Sequence, residues 1–287
     1  MSKCRVAVLK EWNVRLHGAR SVLIAAALYL LVRLCAQIAP IQDEPGAWVI
    51  LLSVALFMLI QMAIVRAASG LPFRQRALWT LAVVFALSVV GLSLLLVGVK
   101  MPAVPWVLVS ALRDLELILF AVSLGSAVSV VIREVNVLLP VAIFAAVVDF
   151  WSVNYGPLGT LLATKPQLVV AAAVQVPVAG RAMPISMIGV GDFVFLALYF
   201  AVMHRFRMNT AGAFWCGFFL LTATMFAVIR VEWLNTVPAL VPIGVALIAA
   251  NVKHFRLKRE EVVSTLIVGL GLLVLMALWV VLARPGG

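Results

Sequence analysis

Apolar residues run along this chain in long blocks, separated by short polar or proline-containing breaks, and not in the strict alternation of a half-buried strand. Nine blocks stand out, at roughly 21–39, 47–65, 77–99, 107–132, 135–153, 186–204, 210–229, 237–251 and 262–282. Blocks of this length predict helices able to cross a hydrocarbon layer about 30 Å thick. The fourth is the least clean, because Arg113, Asp114 and Glu116 interrupt its first third. A transmembrane barrel would show alternating segments of about 10 residues, and none recur. The expected fold is therefore all-α: a polytopic helical membrane protein with about nine transmembrane helices.

Composition removes the soluble alternatives. Of 287 residues, 65% are hydrophobic and 11% charged, with a mean hydropathy of +1.18. A soluble domain carries about 25% charged residues and cannot hide this much apolar surface. Disorder fails on the same figures.

Charge adds an orientation. The net charge of +11 fits cytoplasmic loops and anionic lipid better than nucleic acid, since no basic-aromatic stripe accompanies it. With the N-terminus inside, 15 basic residues fall in the loops on that side and six on the other. The acidic loop with Asp43 and Glu44 falls outside, as does the C-terminus. A multi-pass integral membrane protein with a cytoplasmic N-terminus is expected, in the inner (plasma) membrane for a prokaryotic chain. The first block follows basic residues as a signal peptide would, but lacks a small-residue cleavage site and reads as a retained helix.

The expected organisation is a basic N-terminus at 1–20, N-terminal transmembrane helices at 21–134 and a catalytic core at 135–251. A basic loop with an extra C-terminal helix follows at 252–287. The connection 154–185 contains Pro157, Pro166, Pro177 and Pro184. Its stretch 167–180 suits a short strand pair or a re-entrant piece more than a helix. Cys4, Cys35 and Cys216 have no paired spacing, and His17, His204 and His254 are scattered. Neither a metal nor another cofactor is implied.

The informative residues are the acids. Most of the 11 fall in loops or at helix ends. Asp149 and Asp192 instead sit in apolar helices, in IFAAVVDFW and SMIGVGDFVF, with no Lys or Arg within four residues. A carboxylate in hydrocarbon costs about 2.5–3.5 kcal/mol on insertion scales, so such residues usually face a partner or a wet cavity. The two helices run in opposite senses and put both carboxylates near the outer edge. Two close carboxylates share one proton, and the pair can activate water while polarising a carbonyl. Spacing alone equally suits a proton- or cation-coupled transporter or channel using the same Asp pair.

The surrounding motifs favour the protease. Gly189, Gly191 and Asp192 form G-V-G-D, where missing Cβ atoms would let a second backbone approach. Pro238, Ala239 and Leu240 open the eighth block, with Pro242 two residues on, which predicts locally extended, loosely bonded backbone. V-D-F-W, then G-x-G-D, then P-A-L, on successive apolar helices, resembles the intramembrane aspartyl proteases of the presenilin and signal peptide peptidase family. The resemblance covers about residues 135–251 and includes an Arg-Phe closing the Asp192 helix in HRFRMNT. It implies a presenilin-like fold and an aspartic endopeptidase without a cofactor. Asp149 and Asp192 would be catalytic, and Gly189, Gly191, Pro238, Ala239 and Leu240 would shape the substrate site. The implied partners are single-span transmembrane proteins or signal peptides in the lipid bilayer. The chain departs from the family in having Val148 where Tyr is usual, four preceding blocks in place of five, and one extra block at the end.

Overall fold

Prolines and glycines set most helix boundaries. Gly46 precedes α2 (Ala47–Ser69), Pro102 precedes α4 (Ala103–Ser129), and Pro140 lies in the first turn of α5 (Leu138–Asn154). There the missing N–H would have had no helical partner anyway. In the computed structural model, residues 2–38, 46–99, 101–154, 164, 170–179, 186–230, 238–256 and 258–283 are described. Besides these helices they form α1 (Ser2–Ile38), α3 (Gln75–Gly98), α6 (Val190–Arg205), α7 (Thr210–Arg230), α8 (Leu240–Asn251) and α9 (Arg259–Ala283). Two short strands, β1 (Ala173–Val176) and β2 (Ser186–Gly189), complete the mostly helical fold.

Helices occur at each of the nine expected positions, with shifted ends. The first begins at Ser2, so the backbone of the 1–20 segment is helical almost throughout. Among the described residues, five segments are long and apolar enough to cross a membrane: Gly18–Gln37, Ala47–Ser69, Gln75–Gly98, Val135–Ser152 and Thr210–Val228. α4 carries Arg113, Asp114 and Glu116, while α6 has 16 residues and α8 only 12. α3 and α9 expose large apolar side chains, among them Val83, Leu87 and Leu94, and Leu266, Leu270 and Leu275. Such faces suit hydrocarbon, not water.

The chain packs as two units. The first comprises Met1–Val131 and Val170–Thr210. Here α4 lies against α3 and α6, α2 against α1 and α6, and β1 against α4. α6 is its centre: Phe193, Leu196, Ala197, Leu198, Tyr199, Phe200, Val202 and Met203 are all buried. Its contact with α4 is close because α4 offers small residues, with Ser123, Gly125, Ser126 and Ala127 buried. A Cβ on Gly125 would collide with the Val194 carbonyl oxygen and sit 2.9 Å from the Ala197 Cβ.

The second unit comprises Ile132–Val169 and Ala211–Gly287. Here α5 packs on α8 and α9. Gly244 of α8 faces Ala142 of α5, yet a Cβ there would meet the Ala142 oxygen at an ordinary 3.5 Å. Asn136, in the 3-10 turn before α5, donates to the Arg256 carbonyl at 2.9 Å and to Glu261 Oε2 at 3.0 Å. That ties α5 to the connection between α8 and α9.

Candidate active site

The first four residues of the expected G-x-G-D helix are not helical. Ser186–Gly189 is strand β2, and the helix starts only at Val190. The physical reason lies in the pairing: β2 runs antiparallel to β1, with Ala173 opposite Gly189 and Val176 opposite Ser186. Gly189 stays extended (φ −62°, ψ 144°) as the last residue before the helix. Asp192 consequently lies in the first turn of α6, not six residues inside a helix. The expected depth, counted along six helical residues, does not apply to it. A carboxylate in a first turn is favoured by the unpaired N–H groups and the positive end of the helix dipole.

The glycines of G-V-G-D do not accommodate a second backbone among the described residues. A Cβ on Gly189 would meet Asp192 Oδ2 at 3.6 Å, and one on Gly191 would meet nothing within 4 Å. Among the described residues, the space beside Gly191 is open. Close helix approach to α6 is provided by Gly125 instead, which carries no motif.

Asp149 lies near the end of α5, and its environment explains the P-A-L element in the same unit. Its Oδ2 accepts the Leu240 N–H at 3.1 Å. Leu240 opens α8, and Pro238 and Pro242 have no N–H to offer, so the carboxylate satisfies one of the few donors at that helix end. The backbone there is not extended. Ala239 is already helical (φ −69°, ψ −26°), and the carbonyls of Pro238 and Ala239 accept the Val241 and Ile243 N–H groups at 3.4 and 3.3 Å. Ala239 thus departs from the locally extended, loosely bonded backbone expected at this element. The first Asp motif and P-A-L, 91 residues apart in sequence, meet directly.

Within the 167–180 stretch, β1 does form a strand pair, but its far edge is occupied. Gln175 N–H donates to Asp114 Oδ2 at 3.3 Å, its carbonyl accepts from Arg33 Nη1 at 2.8 Å, and the Ala173 carbonyl accepts from Arg113 at 3.4 Å. Alternation along an antiparallel ladder then turns Val174 and Val176 towards β2 and Met187 away from β1. Met187 is 44% exposed. Among the described residues the open edge is that of β2, which ends on the first glycine of G-x-G-D.

Sequence reading missed the buried ion cluster behind this. Asp114 is fully buried, 3.0 Å from Arg33 and 2.6 Å from Arg113. An Arg late in one apolar block and an Asp in another were signals, since each needs a partner. Nothing in the spacing named which. Phe193 is core and Trp215 on α7 is half exposed, so neither marks a pocket. Among the described residues no three His, Cys, Asp or Glu side chains gather as a metal site.

At the C-terminal end of α6, Arg207 adopts a left-handed φ of 53° and Met208 N–H reaches back to the Met203 carbonyl at 2.9 Å. HRFRMNT is thus a helix stop of the Schellman type, with Arg where Gly is usual. No family model, curated protein or solved structure matches the chain.

Proposed function

We propose that this chain is an intramembrane aspartyl protease that hydrolyses peptide bonds in transmembrane segments or remnant signal peptides. The observation that carries the reading is the hydrogen bond between Asp149 and Leu240 N–H. The resemblance requires V-D-F-W and P-A-L to belong to one site, and a polar contact joins them. Asp192 supplies the second carboxylate, in a first turn favourable to an anion.

The chemistry needs both. One carboxylate takes a proton from water, whose oxygen attacks the scissile carbonyl carbon. The other, protonated, donates to the carbonyl oxygen, giving a tetrahedral gem-diol. Collapse breaks the C–N bond and passes a proton to the leaving amine. A helical substrate must first unwind, because its amides are bonded internally. The open edge of β2 at Met187 suits an unwound segment, which would gain backbone hydrogen bonds as an added strand. The space beside Gly191 leaves room for it.

In this reading all nine helices span, in a presenilin-like arrangement with the N-terminus inside. Residues 154–185 then face outside, the sense of signal peptide peptidases. Strand pairing has a direction, so spans with the N-terminus inside are preferred and cut nearer their outer ends.

The test uses purified protein in lipid with single-span substrates in both orientations, with and without an aspartyl transition-state analogue. Cleavage abolished by the analogue and by Asp149→Asn is expected. Turnover that persists in both variants, Asp149→Asn and Asp192→Asn, removes the proposal.

A further inference from the structure

Three charged side chains buried in the first unit take no part in the chemistry above. Arg33 of α1 and Asp114 of α4 are fully buried, and Arg113 nearly so. As a stabilising device such a cluster is poor, since well-packed apolar residues often do as well or better. What apolar residues cannot do is satisfy a strand edge. Asp114 Oδ2 accepts the Gln175 N–H at 3.3 Å, Arg33 Nη1 donates to the Gln175 carbonyl at 2.8 Å and Arg113 Nη2 to the Ala173 carbonyl at 3.4 Å. Arg33 Nη2 also holds Gln175 Oε1 at 3.3 Å, so its guanidinium grips this residue twice. Every far-edge backbone bond of β1 named here thus ends on a charged side chain.

We infer that Arg33, Arg113 and Asp114 are positioning residues that act as a false third strand. They close one edge of the hairpin and fix its register, so that an incoming peptide can pair only with β2 and meets Asp192 at one set distance. The inference rests on the protease reading for its consequence, but not for its geometry. β2 continues into α6 without a loop, and Val190 N–H still bonds to the Ala172 carbonyl at 3.1 Å. Displacing β1 therefore displaces the start of the helix that carries Asp192. A one-residue slip would also turn every side chain of the strand to the opposite face.

Arg33→Gln is the informative change, because it leaves Arg113 and Asp114 as a neutral pair and removes the double grip on Gln175. Two measurements are made on the full chain in lipid: amide hydrogen exchange across 173–176 and 186–190, and the products of a single-span substrate by mass spectrometry. Exchange in the hairpin should quicken by at least about tenfold while α3 and α7 are unchanged. KM should rise more than kcat falls, and cleavage should spread from one bond to several. Should Arg33→Gln not accumulate as folded protein, Arg33→Lys carries the same measurements. It keeps a charge beside Asp114 but has no two-pronged fork. A folded variant with unchanged hairpin protection and an unchanged product pattern overturns the inference. A wild-type chain that cuts nothing, with hairpin protection still lost in the variant, sinks the protease reading and leaves the clamp standing.

Discussion

The two units hold their aspartates by different means. Asp192 stands at the head of a helix buried nearly all round, fixed by close contact at Gly125 and by a hairpin whose far edge is locked with charges. Asp149 is itself structural, since its carboxylate satisfies the Leu240 N–H and joins α5 to the head of α8. Packing around α8 is ordinary, with Gly244 and Ala142 in normal contact. The head of α6 is set by helix packing and a hairpin, whereas the head of α8 is joined to α5 through a carboxylate.

Each arm of that contrast can be broken separately. The largest effect should come from Asp149→Asn and Asp192→Asn, each lowering cleavage by about 10²–10⁴-fold or more, the usual worth of a general acid or base. Both variants should insert normally, and product formation per folded molecule is the measure. Near-wild-type activity in either variant would show that the carboxylates do not act as a pair.

The glycines give the next largest difference. Gly125→Val drives a side chain into the Val194 carbonyl and should cost about 3 kcal/mol or more. Gly244→Ala meets only ordinary contact and should lie within about 1 kcal/mol of neutral, helped by helix propensity. Thermal unfolding in detergent compares the two directly. Equal losses would erase the distinction between the units.

A third comparison isolates the structural share of Asp149. Removal of a buried charge would by itself leave stability unchanged or raised, but loss of the acceptor for Leu240 N–H should make Asp149→Ala about 1 kcal/mol less stable than Asp149→Asn. Gly191→Ala sharpens the same point from the other side. The methyl enters open space, so melting should hold or rise while cleavage falls through obstruction of the substrate path. Parallel losses of melting temperature and activity would make Gly191 a packing residue. The smallest effect concerns the stop after α6. Arg207→Gly should add up to about 1 kcal/mol by relieving a left-handed backbone, with activity unchanged.

Periodicity made the helices legible because a block of apolar residues bounded by Pro, Gly or charge has few other ways to satisfy its backbone. It failed at Ser186–Gly189, where four residues of SMIG continue an apolar block yet pair as a strand. Apolar content does not tell a strand from a helix over so short a stretch. Asp149, Asp192 and P-A-L were found because carboxylates and prolines are costly in such blocks. The bond from Asp149 to Leu240 was not, since it spans 91 residues and depends on how α5 meets α8. For the same reason the pairing of Asp114 with Arg33 was invisible in the sequence. Gly125 was hidden among serines and alanines, and only the crossing of α4 with α6 shows that no larger residue fits.

The junction between β2 and α6 has one more consequence. Met187 and Asp192 are separated by four residues of continuous strand and helix, with no loop to lengthen or shorten the interval. In the proposed reaction that segment is a ruler. A segment laid along the strand is cut at a place reckoned from its backbone alignment, whatever side chains it carries. Such an enzyme would tolerate many sequences and insist on one offset, and its selectivity would reside in which spans can unwind far enough to be measured.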